Sequence, residues 1–296
     1  MTRDRTAVII ELLDQWIAAR TSDAGFNWLR DRGERIATGA PEWLFFASFS
    51  SVHRHVGKAD LSLNETDLRA AHERRAHWDP SQWSVDQAGR TRIALSYPHE
   101  DADRCQETLE KVFQTADVGE SVALYQALPL LAHARRWTFR ATEGVRSNMT
   151  SVFEAVALRN PYPVERFNES QWNQMVLKAV FVGSPLDLIQ GLDERANPEL
   201  ARMLVDFARE RQAASRPVSP ELWRLVGRFL RDEWITDLEQ MLVAGGPREQ
   251  AAAALALSES PLGRARSVLA EQAELSGRIH RGELSWRGLT GPGSYP

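Results

Sequence analysis

Polar side chains stand at unexpected places in residues 160–211, NPYPVERFNESQWNQMVLKAVFVGSPLDLIQGLDERANPELARMLVDFARER. Asn168 and Gln171 have capping-box spacing and predict a helix that runs to about Val182. On a wheel of about 100° per residue, Met175, Val176, Ala179 and Val180 share the face of Trp172. Leu177, Phe181 and Val182 widen that apolar arc, leaving Gln171, Gln174 and Lys178 as a narrow polar stripe. Such a helix is expected to lie buried between layers, and Asn173 falls on its apolar side. An unbonded buried amide costs about 1–3 kcal/mol. Asn173 therefore either bonds a neighbouring loop carbonyl or turns into a pocket and orients a ligand. Lys178 is either solvated or meets an anionic group. Asp193 and Arg195, in the loop before Asn197-Pro198, form a local ion pair or caps, or hold a charged ligand between helices. Tyr162, between Pro161 and Pro163, either packs in the core or presents its hydroxyl from a restricted backbone. Tyr162, Trp172, Asn173, Lys178, Asp193 and Arg195 are the candidate ligand-binding residues. None is assigned a catalytic role.

Other chemistry-bearing patterns do not close. His72 and His77 are five apart, whereas two imidazoles share a helix face at a spacing of four. His53 and His55 are two apart and face different ways, so no metal site is expected. The chain contains no GxGxxG, no GK[ST] and no GxSxG. Cys105 lies on an apolar stripe and reads as a small core residue. Arg135, Arg136 and Arg140 beside Trp137 and Phe139 read as a solvated helix face. No cofactor is implied.

The elements that must hold these residues are helical throughout. Val8, Ile9, Leu12, Leu13, Trp16 and Ile17 trace one helix face. Pro41 opens an apolar helix with Trp43, Leu44, Phe45 and Phe46. Asn64 and Asp67 mark another start. Residues 76–90 read as a turn-rich connection, and helical spacing resumes at Cys105, Leu109, Val112 and Phe113. Pro129 is expected to divide or kink the helical region 122–139. Four Ser-Pro or Asn-Pro pairs, at Ser184, Asn197, Ser219 and Ser260, predict helix starts with the polar residue as cap and proline at the first turn. Gly245, Gly246 and Pro247 separate two helices that are expected to pair antiparallel. No strand alternation is visible. The expected fold is all-α, of stacked antiparallel helix pairs in a HEAT-like array without significant sheet. Its expected division is 1–159 and 160–296, with a soft junction at Asn160, Pro161, Tyr162 and Pro163.

Composition sets the outer bounds. With 36 Lys and Arg against 40 Asp and Glu, the net charge of −4 argues against nucleic acid as a partner. The one cysteine permits no internal disulfide, which suits a reducing compartment. Glu11 and Asp14 interrupt the first apolar run, unlike a signal peptide, and no stretch reaches the roughly 20 apolar residues of a membrane span. A cytoplasmic location is expected.

The segments WNQMVLKA, GLDERANPELARML and PELWRLVG resemble the EboA family over residues 160–239; before residue 160 only the general helical layout aligns. Where the family often ends the helix after the loop in His-Glu-Arg, this chain reads Ala208, Arg209, Glu210 and Arg211. The resemblance implies an accessory component of a pathway that makes a secondary metabolite or moves its precursor across a membrane. It implies as partners the other proteins of that pathway, including a membrane prenyltransferase-like component. Two functions remain open: a helical scaffold or binding module, or an enzyme or carrier with an interhelical pocket near residues 160–197 for a hydrophobic or anionic small molecule.

Overall fold

A computed structural model of the chain describes residues 3–289. It is all-α: the described residues form helices and short 3-10 turns, with a single isolated antiparallel bridge between Asp60 and Ser84. The chain divides into two compact units, Met1–Phe167 and Asn168–Pro296. Tyr162 belongs to the first; Trp172, Asn173, Lys178, Asp193 and Arg195 belong to the second.

The first unit comprises α1 (Arg3–Ala18), α2 (Asp23–Ala37), α3 (Glu42–Val56), α4 (Glu65–Arg74), α5 (Val85–Ser96), α6 (Ala102–Thr115), α7 (Val118–Ala127), α8 (Thr138–Arg146), α9 (Thr150–Ala157) and α10 (Tyr162–Arg166). Its centre is α5, which packs against α1, α2, α3 and α7. The expected connection over residues 76–90 thus ends early, because α5 already starts at Val85. Gln87 accepts from the Ser84 N–H at 2.9 Å and fixes that start. All residues of α5 but Gln87 are buried, including Asp86, Arg90 and Arg92. A helix buried on every side shows no amphipathic period, and its charged residues imitate a solvated face, which is why spacing did not reveal it. Close approach is built in: a Cβ on Gly89 would lie 2.7 Å from Val52 Cγ1.

Local signals elsewhere in this unit act as expected except at Pro41. Asn64 and Asp67 form a reciprocal capping box on α4, at 3.0 and 3.1 Å. Pro41 precedes the first residue of α3 rather than occupying its first turn. The 122–139 region is divided: α7 ends at Ala127, just before Pro129, and a 3-10 turn at Ala134–Trp137 leads into α8.

The second unit comprises α11 (Glu169–Val182), α12 (Pro198–Ala213), α13 (Asp232–Ala244), α14 (Pro247–Ser258), α15 (Gly263–Ala270), α16 (Ala273–His280) and α17 (Trp286–Leu289). Helix α14 is its core, with Ala251 through Leu257 all buried. Small side chains let α13, α15, α16, α17 and the 3-10 segment Pro220–Leu225 approach it from several sides. The expected pairing of α13 with α14 is present.

Of the four expected proline starts, Asn197-Pro198 alone opens an α-helix as foreseen, with Asn197 Oδ1 accepting from Leu200 N at 2.9 Å. Ser184-Pro185 and Ser219-Pro220 lead into 3-10 turns at Leu186–Leu188 and Pro220–Leu225. In the latter, Leu222 and Leu225 are three apart and align better at three residues per turn than at 3.6. Ser260 Oγ instead accepts from Leu262 N at 3.2 Å, and the helix starts later, at Gly263. Helix α11 is also less enclosed than its composition suggests: Trp172 is fully buried, yet Phe181 is 66% exposed and stacks edge-on with Phe207.

Candidate functional site

The six candidate residues are largely engaged with the protein itself. The Tyr162 N–H donates to Asn160 Oδ1 at 2.9 Å, and its hydroxyl donates to the Ala134 carbonyl and lies 3.3 Å from Thr138 Oγ1. Burial pushes the phenol upward in pKa, against the smaller opposing effect of the Thr138 hydrogen bond. Tyr162 thereby ties α10 to the turn that enters α8.

In the second unit Asn173 is buried, and its partner is a side chain rather than a loop carbonyl. Asn197 Nδ2 donates to Asn173 Oδ1 at 2.8 Å, and Asn173 Nδ2 donates to Asn197 Oδ1 at 3.2 Å. Asn197 also donates to the Arg195 carbonyl at 3.2 Å while capping α12. Its pairing with Asn173 adds to the cap role that its position announced. Arg195 does not pair with Asp193. Its guanidinium lies 4.5 Å from the Trp172 ring centroid, a cation–π contact. Asp193 meets Arg224 instead, through Oδ1 at 2.7 Å from Nε and a second, shorter contact between Oδ2 and Nη2. This fork is long-range in sequence, and no local spacing announces it. Lys178 is half-buried, and desolvation alone draws its pKa down. Trp172, Asn173, Arg195 and Asn197 thus converge to hold α11 against the start of α12, with Asp193 fixing the intervening loop.

The first unit contains a cleft of about 680 Å³ along α1, α2 and the end of α5. Its apolar side is formed by Ala7, Ile10 and Ala18 from α1, Phe26 and Ala37 from α2, and Leu95 from α5. Small residues there keep neighbouring side chains from closing the gap. At its base Arg92, 4% exposed, holds Asp14 through Nε at 3.0 Å and Nη2 at 3.3 Å, and donates to Ser96 Oγ at 3.0 Å. Gly33 makes room for that guanidinium, since a Cβ there would lie 1.2 Å from Arg92 Nη1. Glu11, Glu34 and Glu100 also line the cleft, with His99 beside them. With Asp14 and Arg92 compensating each other, the remaining lining is acidic. It favours a neutral or cationic apolar molecule over an anion.

Sequence reasoning missed this cleft. Its signal was a stripe on α1 of Ala7, Glu11, Asp14 and Ala18 at helical spacing, with Gly33 and Ala37 on α2. Each half reads alone as an ordinary solvated face. Only α5 joins them. The described residues contain no group of three or more His, Cys, Asp or Glu placed to hold a metal ion, and no helix long and apolar enough to cross a membrane. Cys105 is buried, and desolvation raises its thiol pKa to about 11. It packs as a core residue.

Comparison with known proteins yields one family. The family model described as "Metabolite traffic protein EboA" matches residues 9–227, from α1 through the Pro220–Leu225 turn, and so takes in most of the cleft as well as the α11–α12 region. No curated protein and no solved structure matches the chain. With the greater part of its length under that match, the chain belongs to the EboA family, whose description is that of a metabolite traffic protein.

Proposed function

We propose that this protein is a binding module that holds a small apolar metabolite in the α1–α2–α5 cleft without transforming it. On this reading it is an accessory cytoplasmic component of an ebo-type pathway of secondary-metabolite synthesis or precursor export. It presents its cargo to the pathway's other proteins, among them a membrane prenyltransferase-like component. The observation that carries the reading is the cleft itself: about 680 Å³, with an apolar side from α1, α2 and α5, over a buried Arg92 that is paired with the half-buried Asp14. That volume lies within the range of small-molecule sites. The paired base orients without offering a reactive group: Arg92 is held by Asp14 and Ser96 and cannot act as a free base or nucleophile. The metabolite-traffic description of the family agrees with carriage rather than turnover. The acidic lining selects the hydrophobic ligand of the two classes expected from sequence. The polar residues of α11 and the loop after it are read as a clamp between helices, since Asn173, Asp193 and Arg195 each have a defined partner within the chain.

Native mass spectrometry of the protein, gently purified from its own host, tests this. A stoichiometric small-molecule adduct is expected, and it should be lost in Ala37→Trp. Ala37 is exposed on the cleft wall, so the larger ring fills the cleft while leaving the core intact. An adduct that survives Ala37→Trp at unchanged occupancy, or no adduct in the wild type, refutes the assignment.

A further inference from the structure

The lining of the α1–α2–α5 cleft is unbalanced in charge. Glu11 and Asp14 from α1, Glu34 from α2 and Glu100 from the loop after α5 stand against one arginine, Arg92, and no lysine is among the lining residues. Arg92 is engaged within the protein: it donates to Asp14 through Nε at 3.0 Å and Nη2 at 3.3 Å, and to Ser96 Oγ at 3.0 Å. Its charge offsets that of Asp14 and leaves those of Glu11 and Glu34 uncompensated within the lining.

Those two carboxylates are placed by the same arginine. Glu11 lies one helical turn before Asp14 on α1, and Glu34 follows Gly33 on α2. A Cβ on Gly33 would lie 1.2 Å from Arg92 Nη1, so Asp14 and Gly33 both meet the one guanidinium. Glu11 and Glu34 therefore stand within about one helical turn of the same level, on the two helices that bound the cleft. Both are exposed and open to a ligand. Among the described residues Glu11 has no ion-pair partner. Glu34 meets Arg30 of its own helix at 3.7 Å, with both side chains more than half exposed, a weak contact. The apolar side is equally accessible: Ala7, Ala18 and Ala37 are exposed, and Ile10 and Phe26 are half-buried.

We propose that the metabolite held in this cleft is an amphiphilic amine, its apolar body on Ile10, Ala18, Phe26 and Ala37 and its protonated nitrogen at the lip between Glu11 and Glu34. The proposal rests on the cleft reading above and adds the charge of the ligand. An ammonium at an exposed lip keeps part of its water while its carbon chain covers apolar surface, as lysine side chains do, so it avoids the desolvation cost of a buried ion. Carboxylates of one sign along a concave wall also concentrate cations there. An anionic ligand would meet like charge on both helices and no free cation in the lining. A neutral one would gain apolar contact alone. An exposed charge pair is worth about twofold to fivefold in affinity, so two carboxylates favour the amine over its neutral counterpart by about fourfold to twenty-fivefold at low salt.

Isothermal titration of the full-length protein with n-octylamine, n-octanol and n-octanoate at neutral pH tests this, because the three share one chain and differ at the head. The amine should bind tightest, the alcohol more weakly, and the carboxylate without saturation. Glu11→Gln and Glu34→Gln, at exposed positions, should each weaken the amine about twofold to fivefold and leave the alcohol unchanged. High salt should shrink the amine's advantage. Ala37→Trp should weaken amine and alcohol alike. An amine that binds no more tightly than the alcohol, keeps its advantage in high salt, or is indifferent to both glutamine variants overturns the cationic head. Alcohol binding that Ala37→Trp weakens would then leave the cleft reading standing. Binding of none of the three, or binding indifferent to Ala37→Trp, overturns both.

Discussion

Truncating the two ends of the Asn173–Asn197 amide pair should have unequal and strongly non-additive effects. Asn173→Ala removes two neutral hydrogen bonds, of 2.8 and 3.2 Å. At about 0.5–1.5 kcal/mol each, the loss is about 1–3 kcal/mol. Asn197 keeps the Arg195 carbonyl and the Leu200 amide as partners, so no orphan is left behind. Asn197→Ala removes the same two bonds together with the cap of α12, worth about 1 kcal/mol. It also leaves the Asn173 amide, 2% exposed, without those bonds, at about 1–3 kcal/mol more. Allowing for partial relaxation, its total is about 3–5 kcal/mol. The double variant has no orphaned amide and should be about 2–3 kcal/mol more stable than the sum of the singles. Urea unfolding of the full chain, followed by tryptophan fluorescence and read only if the slope is unchanged, measures the cycle. Additivity within about 0.5 kcal/mol would refute the reciprocal pair. So would Asn173→Ala proving as costly as Asn197→Ala.

Three more outcomes follow from the same geometry. Gly33→Ala should drive the Arg92 guanidinium off Asp14 and Ser96 and destabilise by about 1–3 kcal/mol, whereas Gly263→Ala, also in a helix and with nothing near its Cβ, serves as the control for the glycine-to-alanine change alone; calorimetry separates them. Cys105 should resist a thiol reagent at pH 8 in the native protein and react at once in denaturant, because burial holds its pKa near 11 and leaves little thiolate; rapid labelling without denaturant would contradict this. Burial raises the pKa of Glu259, although the Trp286 N–H bonds its carboxylate at 2.7 Å. A carboxyl whose folded pKa is raised loses stability as pH climbs from about 4.3, the ordinary glutamate value, towards the folded one. Glu259→Gln, which still accepts from Trp286, should flatten that decline, and an unaltered pH profile of unfolding would show that Glu259 does not cause it.

The clearest local signals in the sequence were those whose physics is complete within one helical turn. Asn64 with Asp67, Asn168 with Gln171, and Asn197 with Pro198 each satisfy an orphan N–H from a side chain a few residues away, and each stands at a helix start. The glycine-proline break before α14 belongs to the same class. The Ser-Pro pairs show the limit of that logic. Proline fixes one dihedral and excludes a donor, but whether a helix or a single 3-10 turn follows depends on what the next apolar side chains pack against.

Helix α5 and everything it organises lay outside that reach. Its Asp86, Arg90 and Arg92 look solvated in a line of sequence and are buried in the fold, where Arg90 meets Asp86 and Arg92 reaches Asp14 across 78 positions. Asp193 likewise passes over its neighbour Arg195 for Arg224, 31 positions on. The sequence alone determined that this chain is helical, where several helices begin, that it carries no familiar catalytic or nucleotide motif, and that it resembles EboA proteins. Tertiary structure alone decided which charges are paired, which amides are locked, and where the cavities open. Capping and periodicity are settled by neighbours along the chain, whereas burial, ion pairing and empty space depend on helices brought together from distant parts of it.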